Sequence, residues 1–235
     1  MQCLFMDQKR TDYFKVGAKQ YKEIRNEYKD GKLPSLLLHV CCGACSCFPL
    51  VYLIDLFDIT IYFSNSNINT LEEFNKRLDA LKQYVLMLNN KFNTNIKIIV
   101  DEYKHKEFLP LISPYKNEKE MGKRCEICIK ERMNSLFLYA LNNNYKYVST
   151  TMTVSRNKNS NYINIVGDEL SNIYNNKVIF FHTDFKKNNG QDIGVEISKK
   201  YNVYRQDYCG CEYSLINKSD KITSLLCCFY FIIAN

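Results

Sequence analysis

A chain of 235 residues with 46% hydrophobic content has enough apolar side chains to bury one sizeable core. Its net charge of +7 excludes a strongly acidic surface and is compatible with a polyanionic partner, with 18 Tyr and 14 Phe available for stacking on bases, although charge alone better fits a soluble surface of scattered lysines. The opening Met1–Asp7 lacks the apolar run and cleavage site of a signal peptide, so the 11 cysteines are expected in the reducing cytoplasm, where clustered thiols act as ligands or redox groups.

Phe14, Ala18, Tyr21, Ile24 and Tyr28 recur at helical spacing, and Gly31 stands where a helix C-cap would. Residues 1–33 therefore read as an amphipathic helical extension lying on a main domain at 34–218. Ser35–Val40 is a short apolar run typical of a buried strand. Cys41-Cys42-Gly43-Ala44-Cys45 follows it directly, with a helix expected from near Ser46 to Phe57. Ile59–Phe63 reads as a second strand. After a polar loop, Thr70 and Glu73 form a capping box opening a helix with Leu71, Phe74, Leu78, Leu81, Val85 and Leu88 on one stripe.

Ile96–Val100 is a third strand, and the stretch holding Pro110 and Pro114 reads as irregular. A helix starts at Cys125, with Ile129, Met133, Leu136, Phe137 and Ala140 facing inward. Tyr145–Thr151 and Val178–Phe181 are further strands around a helix carrying Tyr162, Val166, Leu170 and Ile173, and a last helix covers roughly Val195–Tyr201. Alternating strands and helices predict an α/β fold, a parallel sheet with helices on both faces, whose functional crevice lies beyond the carboxyl ends of the strands. The apolar tail at 219–235 contains Leu225–Ala234, about half of the ~20 residues a spanning helix needs, so no stable membrane insertion is expected.

Most cysteines fall in three groups: Cys41, Cys42 and Cys45, then Cys125 and Cys128, then Cys209 and Cys211. Cys125 and Cys128 are one helical turn apart at a helix start, where Lys123, Arg124 and the helix N-terminus favour thiolates. Spacing alone suits zinc and an iron–sulfur cluster equally, but seven candidates exceed the four that close a structural zinc site. Cys42-Gly43-Ala44-Cys45 between strand and helix also reads as a thioredoxin-like redox motif, which would leave the other groups without a role. Cys47 has no assignment, and Cys3, Cys227 and Cys228 read as ordinary thiols.

Taken together, Leu36–Cys45, Gly122–Cys128, Ser149–Thr151, Asp184–Lys187 and Tyr204–Cys211 resemble the cobalamin-independent epoxyqueuosine reductases, in matching order from about Leu36 to Ser214. The resemblance implies an adenine-nucleotide hydrolase-like, Rossmann-like architecture. It also implies reduction of epoxyqueuosine to queuosine at the wobble position of tRNA, the last step of queuosine biosynthesis. Carried over, Cys41, Cys42, Cys125 and Cys128 match ligands of a [4Fe–4S] cluster, Cys45 matches a position near a second, mononuclear iron, and Cys209 and Cys211 match a pair that is redox-active or ligating. Cobalamin is not implied; an external donor such as ferredoxin or flavodoxin is. Asp184 and Asp207 are candidate proton donors, with His39 and Tyr208. Arg124, Lys186, Lys187 and Arg205 are candidate contacts to the phosphates of the tRNA anticodon loop, although any one of them also reads as part of a solvated rim. Relatives tend to have Pro at the positions of Ser66 and Arg156, and aromatic and basic residues where this chain has Gln191-Asp192-Ile193-Gly194. The rival readings are a thiol–disulfide oxidoreductase and a zinc-stabilised RNA-binding module without catalysis.

Overall fold

The computed structural model describes residues 11–29 and 31–216; the apolar tail, Cys3, Cys227 and Cys228 lie outside them. Strands β1 (Ser35–His39), β2 (Asp58–Phe63), β3 (Lys97–Val100), β4 (Tyr147–Thr150) and β5 (Ile179–Phe180) form one sheet in the order β3-β2-β1-β4-β5. Every neighbouring pair is parallel, with Leu38 opposite Ile61 on one side and Ser149 on the other. Right-handed crossovers from a central strand outward in both directions give this order, as in one Rossmann half, and the direction of winding reverses between β1 and β4. A ligand crevice belongs there, beyond His39 and Thr150.

The central strand is apolar on both faces because helices cover both. Leu36 and Leu38 join a core with Ile24, Leu50, Leu53, Leu81 and Leu88, whereas Leu37 joins Met133, Phe137, Val148 and Ile163 on the other side. The first face carries α1 (Tyr13–Glu27), α2 (Gly43–Leu53), α3 (Leu71–Phe92) and α7 (Gly190–Lys200); the second carries α5 (Lys123–Asn142) and α6 (Ser160–Ile173). Among the described residues no helix is long and apolar enough to cross a membrane.

Several boundaries differ from expectation for identifiable reasons. Helix α2 starts at Gly43 rather than near Ser46 because the Cys42 sulfur serves as its N-cap, accepting from the Cys45 N–H at 3.3 Å. Pro49 sits inside α2, and burial of the helix between α3 and α7 offsets the missing hydrogen bond. The stretch expected to be irregular is helix α4 (His105–Ile112) with Pro110 inside it, followed by a 3-10 turn at Ser113–Tyr115. Helix α7 begins five residues before Val195, at Gly190, after Asn189 in the left-handed region (φ 58°). Thr70 caps α3 as expected, accepting from Glu73 N–H at 3.1 Å, but Glu73 turns away to Arg77 instead of closing the box. Leu71 and Ile173, assigned to apolar stripes, are 54% and 66% exposed.

The N-terminal helix is held by more than apolar contact. Gln20 spans Phe180 and His182, donating to the Phe180 carbonyl at 3.0 Å and accepting from the His182 N–H at 2.8 Å. Tyr13 stacks on the His182 ring at 5.3 Å and donates to Asp168, which also pairs with His182. On the opposite face, α6 approaches β5 so closely that a Cβ on Gly167 would lie 2.3 Å from the Phe180 ring. Gly167→Ala is therefore expected to cost about 1–3 kcal/mol by overpacking; urea unfolding checks this, and an unchanged midpoint would show that the ring moves aside freely.

Candidate metal and redox site

The crevice at the β1/β4 switch point is where the cysteines gather. Cys41 and Cys42 leave β1, Gly43 opens α2, and Cys45 lies one turn on, so the three sulfurs fall within 4.8 Å of one another. Among the described residues no other three His, Cys, Asp or Glu side chains converge so closely. Sulfurs on a single tetrahedral ion with bonds of about 2.3 Å stand roughly 3.8 Å apart, so the trio fits a metal with little movement.

Without a cation, three thiols this close, two of them buried and one half-buried, cannot all ionise. Hydrogen bonds from Cys42 and Cys45 hold the Cys41 thiol well below its ordinary value. Burial and the Cys41 bond push Cys42 up to about 12, and Cys45 rises by its bonds to both neighbours. A bound metal would remove that conflict and release the remaining protons.

Cys125 and Cys128 lie outside this trio, on the first two turns of α5. Together with Cys209, Cys211, Asn67 and Arg124 they line a narrow cavity next to the trio. An open cavity of about 280 Å³ contains Cys41, Cys45, Arg205, Gln206, Asp207, Tyr208 and Cys209, and the two cavities share Asn157, Lys158 and Cys209. The structure thus brings all three cysteine groups to one end of the sheet. Cys47 is separate: it is fully buried in α2 with its thiol toward the Gly43 carbonyl, and burial pushes it up to about 12.

The other expected residues divide clearly. Arg205, Lys187 and Asp207 are exposed, and Lys186 and Asp184 are half-buried, all around the crevice mouth. Burial lowers the Lys186 ammonium, which donates to the Lys158 carbonyl at 3.0 Å. Arg124 departs from expectation. It is only 2% exposed, with Nη1 donating to the carbonyls of Tyr115, Lys116 and Glu118, so no surface phosphate contact is open to it. His39 is fully buried between Thr150 Oγ1 at 2.9 Å and the Ser64 carbonyl at 3.2 Å. Burial and the neighbouring Arg132 push its pKa down to about 3, which keeps it neutral while it bonds across β1 and β4.

Two departures from the family pattern meet each other. Arg156 Nε donates to Gln191 at 2.6 Å, and its Nη2 pairs with Asp192 at 3.2 Å, so the Arg156 loop is tied to the start of α7 and Asp192 neutralises its charge there. Ser66 accepts from the Lys104 N–H at 3.0 Å and ties its loop to the start of α4.

Residues that spacing did not single out surround the thiols with buried positive charge. Lys158 Nζ lies 3.2 Å from the Cys209 sulfur; burial opposes its charge, but Cys209 and Cys41 more than offset that and hold its pKa above the ordinary value. Arg77, Arg124, Arg132 and Lys158 are 1%, 2%, 4% and 9% exposed. Of these four only Arg77 has a carboxylate partner among the described salt bridges, Glu73 at 2.6 Å. Buried charges are paired in stable proteins. The counter-charge available here is sulfur. Gln206 completes the lining, donating to the Cys42 sulfur at 2.8 Å. It stands inside the Tyr204–Cys211 motif, whereas Lys158 and Arg132 carry no local pattern that would have marked them.

Residues 36–217 match the family described as Epoxyqueuosine reductase QueH. The chain belongs to that family. It is 37% identical to the epoxyqueuosine reductase QueH of Streptococcus pyogenes serotype M1, over 79% of this chain and 72% of that one. It is 35% identical to that of Staphylococcus epidermidis over 91% and 88%, and 32% identical to that of Thermotoga maritima over 80% and 93%. A solved structure, the U34-tRNA thiolase NcsA from Methanococcus maripaludis with its [4Fe-4S] cluster, overlays with a TM-score of 0.44 at 14% identity over 85% of this chain and 69% of that one, too remote to bear on the site. Membership of the QueH family makes the chain an oxidoreductase of queuosine biosynthesis.

Proposed function

We propose that this chain reduces the epoxide of epoxyqueuosine in tRNA to give queuosine, with Cys41, Cys42, Cys125 and Cys128 holding a [4Fe–4S] cluster and Cys45 helping to hold a second iron beside it. The observation that carries the reading is four buried cations beside the clustered thiols, with Arg77, Arg124 and Lys158 lining the two cysteine cavities and Arg132 acting on Cys41 and Cys128, which calls for several negative charges among them. Cys41 and Cys42 from the tight trio, with Cys125 and Cys128 outside it, would supply the four thiolates that such a cluster takes. When bound, the cluster supplies single electrons and the second iron a Lewis acid.

Removal of the epoxide oxygen as water takes two electrons and two protons. The protein's own part is to bind, shield and protonate. Gln206 holds the Cys42 sulfur in place, and Lys158 stands where the open cavity meets the thiols, with Cys209 beside it. Cys209 and Cys211 together can supply two electrons and two protons on closing to a disulfide, and Gly210 between them (φ 122°) makes the tight turn that such a pair needs. Asp184 and Asp207 at the mouth are placed to relay protons from solvent. Arg205, Lys186 and Lys187 form the basic rim that meets anticodon-loop phosphates. Ferredoxin or flavodoxin in the cytoplasm would renew the electrons, and the reading gives cobalamin no role.

Anaerobically purified protein is expected to be brown, and with chemical reductant and epoxyqueuosine-containing tRNA to yield a nucleoside lighter by one oxygen on mass analysis. A colourless, zinc-loaded protein that leaves the nucleoside unchanged would favour the zinc-stabilised RNA-binding module instead. Disulfide exchange without iron would favour the thioredoxin-like reading.

A further inference from the structure

We propose that Arg124 is a charge-compensating donor to the sulfur centre, where it raises the reduction potential. The inference rests on the proposed cluster ligands. Arg124 precedes Cys125 at the start of α5 and is 2% exposed. One nitrogen, Nη1, makes all of its carbonyl contacts, to Tyr115, Lys116 and Glu118. Nε and Nη2 are buried and have no partner. The guanidinium lies 4.9 Å over the Tyr213 ring and forms part of the cavity wall with Cys125, Cys128, Cys209 and Cys211.

A buried cation with two unmatched donors is costly unless an anionic acceptor meets them. The cavity wall offers four sulfurs besides the Asn67 amide and the Glu120 carboxylate, and the sulfurs are the acceptors that would carry several negative charges once a cluster is bound. Arg124 lines one cavity wall with both the helical pair Cys125 and Cys128 and the Cys209-Gly210-Cys211 pair, so its charge faces both groups. An electron added to a cluster beside this cation is stabilised by it. Removing the charge leaves the oxidised form favoured.

The test is a redox titration of the reconstituted full chain, followed by the spectrum of the reduced cluster, with Arg124→Gln and Arg124→Lys compared to wild type. At a fixed potential the reduced-to-oxidised ratio is expected to fall about tenfold in Arg124→Gln, equivalent to about 59 mV for a one-electron couple. Arg124→Lys keeps a cation but not the grip on three carbonyls, and should stay within about threefold of wild type, since the effect is one of charge. An unchanged potential in Arg124→Gln would overturn the proposal. Equal shifts in both variants, or failure of both to take up iron, would do the same by making Arg124 a scaffold for residues 115–118. Wild-type protein that takes up no cluster would sink the proposed ligand set, and this inference with it.

Discussion

Cys42→Ser is expected to abolish iron binding and reductase activity while leaving the fold intact. Two jobs meet at this side chain, and serine separates them. As N-cap of α2, the Cys42 sulfur accepts from the Cys45 N–H at 3.3 Å. A serine hydroxyl is a preferred N-cap acceptor and would keep that bond, and Gln206 Nε2 remains available as a second donor. Unfolding stability should therefore stay within about 1.5 kcal/mol of wild type. As a metal ligand, serine loses the soft thiolate on which iron–sulfur binding depends. The activity loss should exceed the roughly 10–100-fold that removal of an outer hydrogen-bond partner costs. Iron analysis, urea unfolding and the tRNA assay on one preparation separate these effects. Retained iron with full activity would remove Cys42 from the ligand set. Cys47→Ser is the matched control: its sulfur is equally buried but points at the Gly43 carbonyl, so iron should be retained and only stability should fall.

Much of the sheet was legible because it depends on local pattern. The run Leu36-Leu37-Leu38 reads as a strand covered on both faces, and helices do cover both, with Leu36 and Leu38 in one core and Leu37 in the other. The stripes of α3 and α5 placed Leu81, Leu88, Met133 and Phe137 inward, where all four are buried. Element starts were harder to read. A cysteine cap at Cys42 has no counterpart among common cap residues, and the buried Pro49 is tolerated inside α2 by tertiary packing that sequence does not display, while Pro110 stands exposed inside α4. At the site, thiols announce themselves by spacing, whereas buried cations do not. Lys158, Arg132 and Arg77 resemble surface residues in sequence, and only the folded chain turns them inward. Arg124 shows the same limit from the other direction: a basic residue beside a cysteine motif read as a nucleic-acid contact, and the 115–118 segment covers it.

Arg77→Leu is expected to be the most destabilising single change near the site. Arg77 is fully buried on α3, and its guanidinium ties the first turns of that helix to the Tyr208–Cys209 turn. Nε pairs with Glu73 at 2.6 Å, Nη1 donates to the Cys209 carbonyl at 3.1 Å, and Nη2 donates to the Tyr208 carbonyl at 3.4 Å. The fork fixes the turn that carries Cys209 and Cys211, and it packs so tightly that a Cβ on Gly210 would come within 3.0 Å of Nη1. Leucine fills part of the volume but leaves the Glu73 carboxylate, 12% exposed, with only the Tyr204 hydroxyl at 3.1 Å. Breaking a buried pair from one side costs about 3–5 kcal/mol. For a chain of this length that lowers the melting temperature by roughly 6–20 °C. Arg77→Lys keeps the charge but cannot reach Glu73 and both carbonyls at once, so it should fall between wild type and leucine. The functional consequence follows from the same contacts: with the turn released, Cys209 and Cys211 should alkylate faster in the leucine variant, even well below its melting temperature. Thermal unfolding and peptide-resolved alkylation measure the two effects. A melting temperature within about 2 °C of wild type, less than 1 kcal/mol on the same scale, would show that the fork is not what holds the Cys-Gly-Cys turn against the metal site.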